Sequence, residues 1–254
     1  MNNLRLVILD YPKLNLGLSE VRKTFGDILA TKQVNFDRAS NRYISMGPLD
    51  MISTHFLIYD QSNIYMPKIV AGIRLCYSDR AKHHNVPLPI EEYISYAPVE
   101  YQKKFDKFRK GKSVIVDNNA LFVDPHYTYS QTGLKLSEIL YFALVQFIVR
   151  KGHGHWVGAT NERFKASRWG LPTGFAEKNL VFTHPKVPDP HMLLLVEPLN
   201  YQWLNECTEL YRGVIDNRVE IVPKPYPINE TLMSVEEVTE FIKQNDVDES
   251  KMAA

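Results

Sequence analysis

Cysteine is scarce in this chain. Cys76 and Cys207 are its two, and neither belongs to a CxxC or Cys/His cluster. A disulfide framework or a structural zinc site is therefore excluded as the scaffold, and the expectation is a cytoplasmic protein in a reducing compartment. Net charge is scarce too: 30 basic residues stand against 29 acidic ones, for +1 at pH 7. Nothing global draws such a chain to nucleic acid or to an anionic membrane, so a partner of that kind would need a local patch. Long apolar runs are missing, which argues against a membrane span. The opening Met1-Asn-Asn-Leu-Arg-Leu-Val-Ile-Leu-Asp10 lacks the basic start and extended apolar centre of a signal peptide and reads as a first strand. There is no internal repeat, low-complexity tract or Pro/Gly-rich linker. What is present is an ordinary globular composition, 44% hydrophobic, with enough apolar mass in 254 residues for a sizeable core.

Periodicity sets out the elements. Strands are expected at Leu4–Leu9, Thr54–Tyr59, Lys68–Tyr77, Ser113–Asp117 running on through Ala120–Pro125, Trp156–Thr160 and His191–Val196. Helices are expected over Ser19–Thr31, where Val21, Phe25, Ile28 and Leu29 share a face, over Leu136–Arg150, after Asn161, and over Tyr201–Ile215. Lys32–Leu49 reads as a polar loop, residues 78–112 as an insertion with a short helix, and residues 217–229 as extended. Ser234 and Glu237 form a capping box for a last helix to Gln244, followed by a disordered tail. Residues 1–230 are thus expected as one domain, and 231–254 as a C-terminal helix and flexible tail. Strands followed by strand, helix, strand and helix imply an α/β mixed sheet with helices on both faces.

The stretch from Ala120 to Phe175 says most about function. A strand runs into the polar turn Tyr127-Thr-Tyr-Ser-Gln-Thr-Gly-Leu-Lys135 and then a long apolar helix. Small and polar residues between a strand and a helix N-terminus let backbone amides converge on phosphate. That suggests a co-substrate carrying a pyrophosphate, coenzyme A or a related phosphopantetheine. Ser130, Gln131, Thr132, Gly133 and Lys135 are the candidate cradle; the alternative is an ordinary connection with Gly133 for its turn.

The order of these segments resembles the GNAT acyltransferase superfamily. Val123-Asp-Pro125 ends the strand, and Gln131 and Gly133 stand in for the family's Arg/Gln-x-x-Gly-x-Gly/Ala loop, with the glycine one place early and the second small residue missing. Asn161 and the closing Gly174-Phe175 resemble the family's Asn…Tyr-x-x-x-Gly-Phe region, with Gly170 at the usual Tyr position. Within the superfamily the chain looks most like acyl-homoserine-lactone synthases and N-acyl amino acid synthases. Arg22, Phe25 and Asp27 in an N-terminal helix, His55-Phe-Leu-Ile-Tyr59 and Ala71-Gly-Ile-Arg-Leu75 carry that likeness. Asp117-Asn-Asn-Ala-Leu-Phe-Val123 stands where those enzymes have Glu-Leu-Ser-Arg-Phe-x-Val. The resemblance spans residues 15–197, roughly. It implies a GNAT-like mixed, mostly antiparallel sheet, and acyl-coenzyme A or acyl-phosphopantetheine as co-substrate with no permanently bound cofactor. Asp117 for Glu and Ala120 for Arg favour plain N-acyl transfer over lactone formation.

Amide formation from a thioester needs a proton acceptor, an oxyanion donor and a docked thioester. Asp117 is a candidate acceptor, or else a turn aspartate just before the strand. Glu162 is a second candidate, or a helix-start carboxylate favoured by the dipole. Backbone amides of Leu121, Phe122 and Val123 could meet the thioester oxygen and the pantetheine. Asn161 could hold the pantetheine or serve as an N-cap. Arg22 and Arg74 could grip an acceptor carboxylate bidentately, although Arg74 alternates with Ile73 and Leu75 and could equally face solvent. His83-His84 and His153-x-His155 read as exposed loop histidines, with no metal site. Lys103, Lys104, Lys107 and Lys110 surround Phe105 and Phe108 in what is either a solvated amphipathic helix or a dock for an acidic acyl carrier protein.

The sequence therefore points to an N-acyltransferase that moves an acyl group, expected to be fatty, from a thioester to a small amine such as an amino acid. The alternatives are an acetyl-coenzyme A-dependent acetyltransferase acting on a protein or polyamine, and a non-catalytic relative that binds an acyl ligand or a partner.

Overall fold

The computed structural model describes residues 3–40, 47–63, 65–177, 179–185 and 187–222. Among them, eight strands form one sheet: β1 Leu4–Asp10, β2 Thr54–Asp60, β3 Lys68–Tyr77, β4 Val116–Val123, β5 Trp156–Asn161, β6 Val181–His184, β7 Val187–Val196 and β8 Val219–Ile221. Their order across the sheet is β6-β7-β5-β4-β3-β2-β1-β8. Neighbours pair antiparallel except β4 with β5 and β1 with β8. The helices are α1 Ser19–Ser40, α2 Pro48–Ile52, α3 Ser78–His83, α4 Pro89–Ser95, α5 Val99–Arg109, α6 Tyr129–Thr132, α7 Leu136–Arg150, α8 Ser167–Gly170, α9 Tyr201–Leu210 and α10 Arg212–Asp216. The mixed, mostly antiparallel sheet expected from the sequence is what forms.

Where structure and sequence part, local chemistry explains why. α1 continues through Lys32 to Ser40, across a stretch expected as loop. Lys32 and Gln33 are good helix formers, so polarity at that point does not mark a loop. Residues 78–109 hold three short helices, with Pro89 at the first turn of α4 and Pro98 just before α5. The helix expected after Asn161 is broken into single turns around Pro172 and Gly174. The helix over 201–215 divides at Tyr211. β6, four residues long, was too short for a period to be read. Val219–Ile221 lies within the expected extended stretch and pairs with β1. The helix expected over Ser234–Gln244 and the tail lie outside the described residues.

Burial follows the two faces. On one, α7 lies between the sheet and α9. Its residues Ile139 to Val145 are buried without a break, as a helix covered on all sides requires. Phe147 meets Phe56 of β2 edge to face at 5.5 Å, and Phe142 faces Trp203 of α9. Such side chains each contribute about 1.5–3 kcal/mol by leaving water. On the other face, two apolar clusters lie side by side. Val21 and Ile28 of α1 pack on β1 to β3, while Ile90, Ile94 and Phe105 of α4 and α5 pack toward β4, β5 and β7. The polar residues described below lie on this same face.

β4 and β5 are paired only at Asp117↔Val157 and Asn118↔Gly158. A β-carbon on Gly158 would come within 2.7 Å of the Asn118 carbonyl oxygen, so glycine permits this close rung. One residue further on, β4 slips its register against β3 between Arg74 and Gly72, and Ala120 takes φ 57°. This is a β-bulge with a left-handed residue, which bends β4 away from β5. Left-handed backbone at alanine costs on the order of 1 kcal/mol. Ala120→Gly is therefore expected to raise stability by about 0.5–1 kcal/mol in denaturant unfolding, with no change in β content by circular dichroism. A loss of stability would show that the bend is not strained at this residue.

Candidate active site

On the face shared by α1 and α4, a polar seam separates the two apolar clusters. Asp50 of α2 is at its centre. The Asp50 Oδ1 atom accepts from Arg74 Nη1 at 2.7 Å and is ion-paired with Lys32 of α1. Arg74 Nε donates to Asn119 Oδ1 at 2.7 Å, linking β3 to β4. Asn119 in turn donates to Cys76 Sγ at 3.4 Å, and the Ser53 hydroxyl lies 3.1 Å from that sulfur. His55 of β2 sets its Nε2 2.7 Å from the Asp50 carbonyl; a carbonyl only accepts, so Nε2 carries the proton. Asp117 stands opposite Cys76 in the β3–β4 register, and its Oδ2 accepts from Ile90 N of α4 at 2.8 Å.

Burial sets the charges. Asp50 is 2% exposed, and burial disfavours its charge, but Arg74 and Lys32 overcome this and hold its carboxyl well below the usual range. Burial, then Arg74, pulls Lys32 down to about 8. Burial, then Lys32, brings His55 to about 3, so it is neutral. Burial drives Asp117 up to about 7, against the opposing pull of the Ile90 amide and Arg74. The seam thus holds two cations, one firmly ionised carboxylate and one carboxyl near its midpoint at neutral pH. It can attract a further anion and can take up a proton near pH 7.

The residues singled out by sequence do not all gather here. Arg74 does, facing the seam with its side chain 13% exposed. Asp117 does as well, but inside β4 and buried, not in a turn before the strand. Arg22 donates to the Leu16 and Gly17 carbonyls at 3.0 and 2.9 Å. Glu162 lies five residues past the Asp117↔Val157 rung, roughly 16 Å along β5, near Thr160 Oγ1. The two carboxylates proposed for proton transfer are therefore apart. Asn161 caps the following turn through Arg163 N at 2.9 Å and donates to Asp189 at 3.2 Å. The histidines expected to be exposed include His155, which lies just before β5 and is buried and bonded to the Val114 carbonyl at 2.9 Å.

Beyond the bulge, the Asp124 amide bonds to Val70 O of β3 at 2.8 Å. Amide directions alternate along a strand, so Leu121 and Val123 turn theirs toward β5, and Phe122 turns its amide toward β3. Two of the three expected strand donors thus look into the gap left by β5, and Phe122 does not. The turn expected to cradle phosphate is instead a closed one-turn helix. Its Gln131 and Thr132 amides bond to Thr128 O, and Gly133, at φ 67°, bonds to Tyr129 O. These amides are spent inside the chain. The amides that lack an intrahelical acceptor are those opening α7, at Leu136 to Glu138, with Lys135 beside them. Ser130 is exposed, its hydroxyl 2.9 Å from that of Thr128.

Lys32, Asp50, Ser53, His55 and Asn119 were not singled out from sequence. Reading 32–49 as loop hid Lys32, and with it the helix start at Pro48 that carries Asp50. The signal that would have found Asp50 is Pro48 with a carboxylate two residues on, a helix start. Asp50→Asn would leave Lys32 and Arg74 buried against a neutral amide. It is expected to cost about 3–5 kcal/mol in denaturant unfolding. A change under 1 kcal/mol would mean that the seam is hydrated enough to screen its charges.

No protein-family model and no curated protein sequence matches this chain. Among solved structures, two of the coenzyme A-dependent acyl-homoserine lactone synthase BjaI are similar, one with MTA and one with SAM and isopentyl-CoA. Each superposes at TM-score 0.55 with 12% identity, over 96% of this chain and 99% of that one. FeeM, an N-acyl amino acid synthase from uncultured soil microbes, is also similar, at TM-score 0.48 and 12% identity, over 77% of this chain and 92% of that one. At this identity the likeness concerns architecture. The protein has a GNAT-like fold, in the arrangement seen in the acyl-homoserine lactone synthase BjaI.

Proposed function

We propose that this protein is an N-acyltransferase, taking an acyl group from a thioester and passing it to the amine of a small acceptor such as an amino acid. The observation that carries the reading is the parting of β4 from β5 directly beside the Asp50–Arg74–Asp117 seam. A thioester lying in the gap would meet the Leu121 and Val123 amides, while an acceptor at the seam would lie near Arg74 and Asp117. The similar structure solved with isopentyl-CoA makes an acyl-coenzyme A donor the natural first choice. The α7 amides at Leu136 to Glu138, with Lys135, suit its pyrophosphate better than the Ser130–Gly133 turn.

The chemistry balances with these groups alone. The amine lone pair attacks the thioester carbonyl carbon, whose oxygen takes negative charge and is held by strand amides. The C–S bond then breaks and the thiolate leaves. The proton lost from nitrogen goes to ionised Asp117, directly or through water. Arg74 holds the acceptor's carboxylate against the surplus positive charge of the seam. A carboxylate with a pKa near 7 suits a proton acceptor working at neutral pH.

An acyl carrier protein is the other possible donor. Lys103, Lys107 and Lys110 of the α5 region are exposed, whereas Lys104 is paired with Glu177. A carrier would therefore meet three of the four lysines free of that pairing.

Mass spectrometry of extracts from cells overproducing the protein is expected to reveal a new N-acyl species, naming donor and acceptor together. Its absence, with no binding of any acyl thioester by the purified protein, would remove the reading. For Asp117→Asn, turnover is expected to fall at least about 100-fold with donor binding unchanged. In the parent, turnover should rise with pH to a plateau above about 7, as Asp117 loses its proton. The same raised pKa makes ionisation unfavourable to the fold. Stability from the protonated form is full below the unfolded value near 4 and is lost as pH rises through about 7. Asp117→Asn, which keeps an acceptor for Ile90 N, should therefore melt no lower than the parent at pH 8. Parent-like turnover across that pH range would make Asp117 a bystander.

A further inference from the structure

α4 crosses the sheet above the buried end of the seam. Near its N-terminus Ile90 N donates to Asp117 of β4, and near its C-terminus Tyr93 and Tyr96 lie against β6 and β7. Beneath it, Asp117 and Cys76 are each 1% exposed, and Cys76, Ile90 and Ile94 belong to one apolar cluster. Asp117 is thus shut from solvent while α4 stays in place. The helix is seven residues long, so its hold on the sheet depends on few side chains. The far end rests on two buried histidines. His184 of β6 lies 5.0 Å from the Tyr93 ring and 4.5 Å from that of Tyr96, and His191 of β7 lies 5.1 Å from Tyr93. His191 Nδ1 is 2.8 Å from the Asp189 carbonyl oxygen, so that nitrogen carries a proton. Burial holds His191 below the ordinary histidine range, and His184 beside it acts in the same direction, against Asp189 and Glu162. The Asp189 carboxylate is shared with Arg163 and Asn161. Charging both rings would set two like charges side by side out of water, and lifting α4 would return them to it.

We propose that α4 is a lid over the seam, latched by the packing of Tyr93 and Tyr96 on His184 and His191, and released when those histidines take up protons. Covered, the rings are neutral; uncovered, they titrate near the ordinary value of about 6.5. The closed state is therefore fully stable above that value and loses ground as pH falls below it. Asp117 works the other way. Under α4 its carboxyl titrates at about 7, against about 4 in water, so a proton on Asp117 holds the lid down. Two histidines outweigh this one carboxyl below about pH 6. α5 is tied to the same edge separately, Lys104 to Glu177 and Tyr101 Oη to the Asn179 carbonyl at 3.4 Å, so α4 can lift while α5 stays.

The experiment reads the lid through Cys76. Its reaction with the disulfide reagent dithiodipyridine is followed by peptide mass spectrometry at about pH 7.5 and about pH 5.5, on either side of the histidine range. Rates are scaled to that of glutathione at each pH, and Cys207, buried on the other face, is the reference. Asp117→Asn keeps an acceptor for Ile90 N and removes the opposing titration. In that variant acid should speed labelling at Cys76 by about ten-fold for each histidine and leave Cys207 unchanged. Adding His184→Phe and His191→Phe, which keep a ring at each place and remove its protons, should flatten the response. Should that combination not fold, either histidine change alone should remove about ten-fold of the rise. With Asp117 intact, the two histidine changes leave its carboxyl alone to titrate, and acid should then slow labelling at Cys76. A pH-independent rate in Asp117→Asn, or a rise that survives both histidine changes, overturns the inference. So does a rise shared equally by Cys207, which reports unfolding of the whole chain.

Discussion

The architecture depends on a parallel contact that lasts two rungs. β4 and β5 are joined at Asp117 and Asn118 and released immediately afterwards by the bulge at Ala120. A longer ladder would close the sheet and leave no gap. No ladder at all would split it, because β5, β7 and β6 reach the other strands only through this pairing. The glycine at 158 permits the approach, and the left-handed alanine two places beyond the last rung turns the strand away. Cohesion and opening are thus set by neighbouring residues on one strand.

The same two rungs place different chemistry on the two sides of the sheet. Asp117 and Asn119 face α1 and α4, where Asp50 gathers two cations and the groups are linked from β2 to β4. Asn118 faces α7, in an otherwise apolar environment. A group in the gap would have a charged wall on one side and an oily one on the other. That asymmetry matches the parts of an acyl transfer, a polar acceptor and an apolar chain, and it comes from alternation along a single strand.

Much of the frame was legible in the sequence. Lys68–Tyr77 and Leu136–Arg150 were bounded as they occur, because long, strongly periodic segments carry their own signal. The polar helix end from Lys32 to Ser40 was missed because polarity was taken for loop. The seam was only partly legible. Arg74 and Asp117 could be named, but Lys32, Asp50 and His55 are brought to them by tertiary packing from α1, α2 and β2. The turn at Ser130–Gly133 misled for a related reason: its polar side chains bond to one another and to their own backbone. Composition marks such a turn without saying whether its amides are spent.

The strand at the far edge bears on how the chain reaches this state. β8 pairs Val7 with Val219 and Leu9 with Ile221, closing a loop of more than two hundred residues. During synthesis at ordinary ribosomal speed, β1 would wait roughly 10–40 s before its outer edge found a partner. That edge carries Val7 and Ile8, the sort of sequence that recruits other strands while exposed. Once β8 docks, the outermost strand among the described residues is three residues long and carries Glu220, held by Arg150 and Arg218. A short charged strand makes a poor template, so a segment made late shields from aggregation an edge made much earlier.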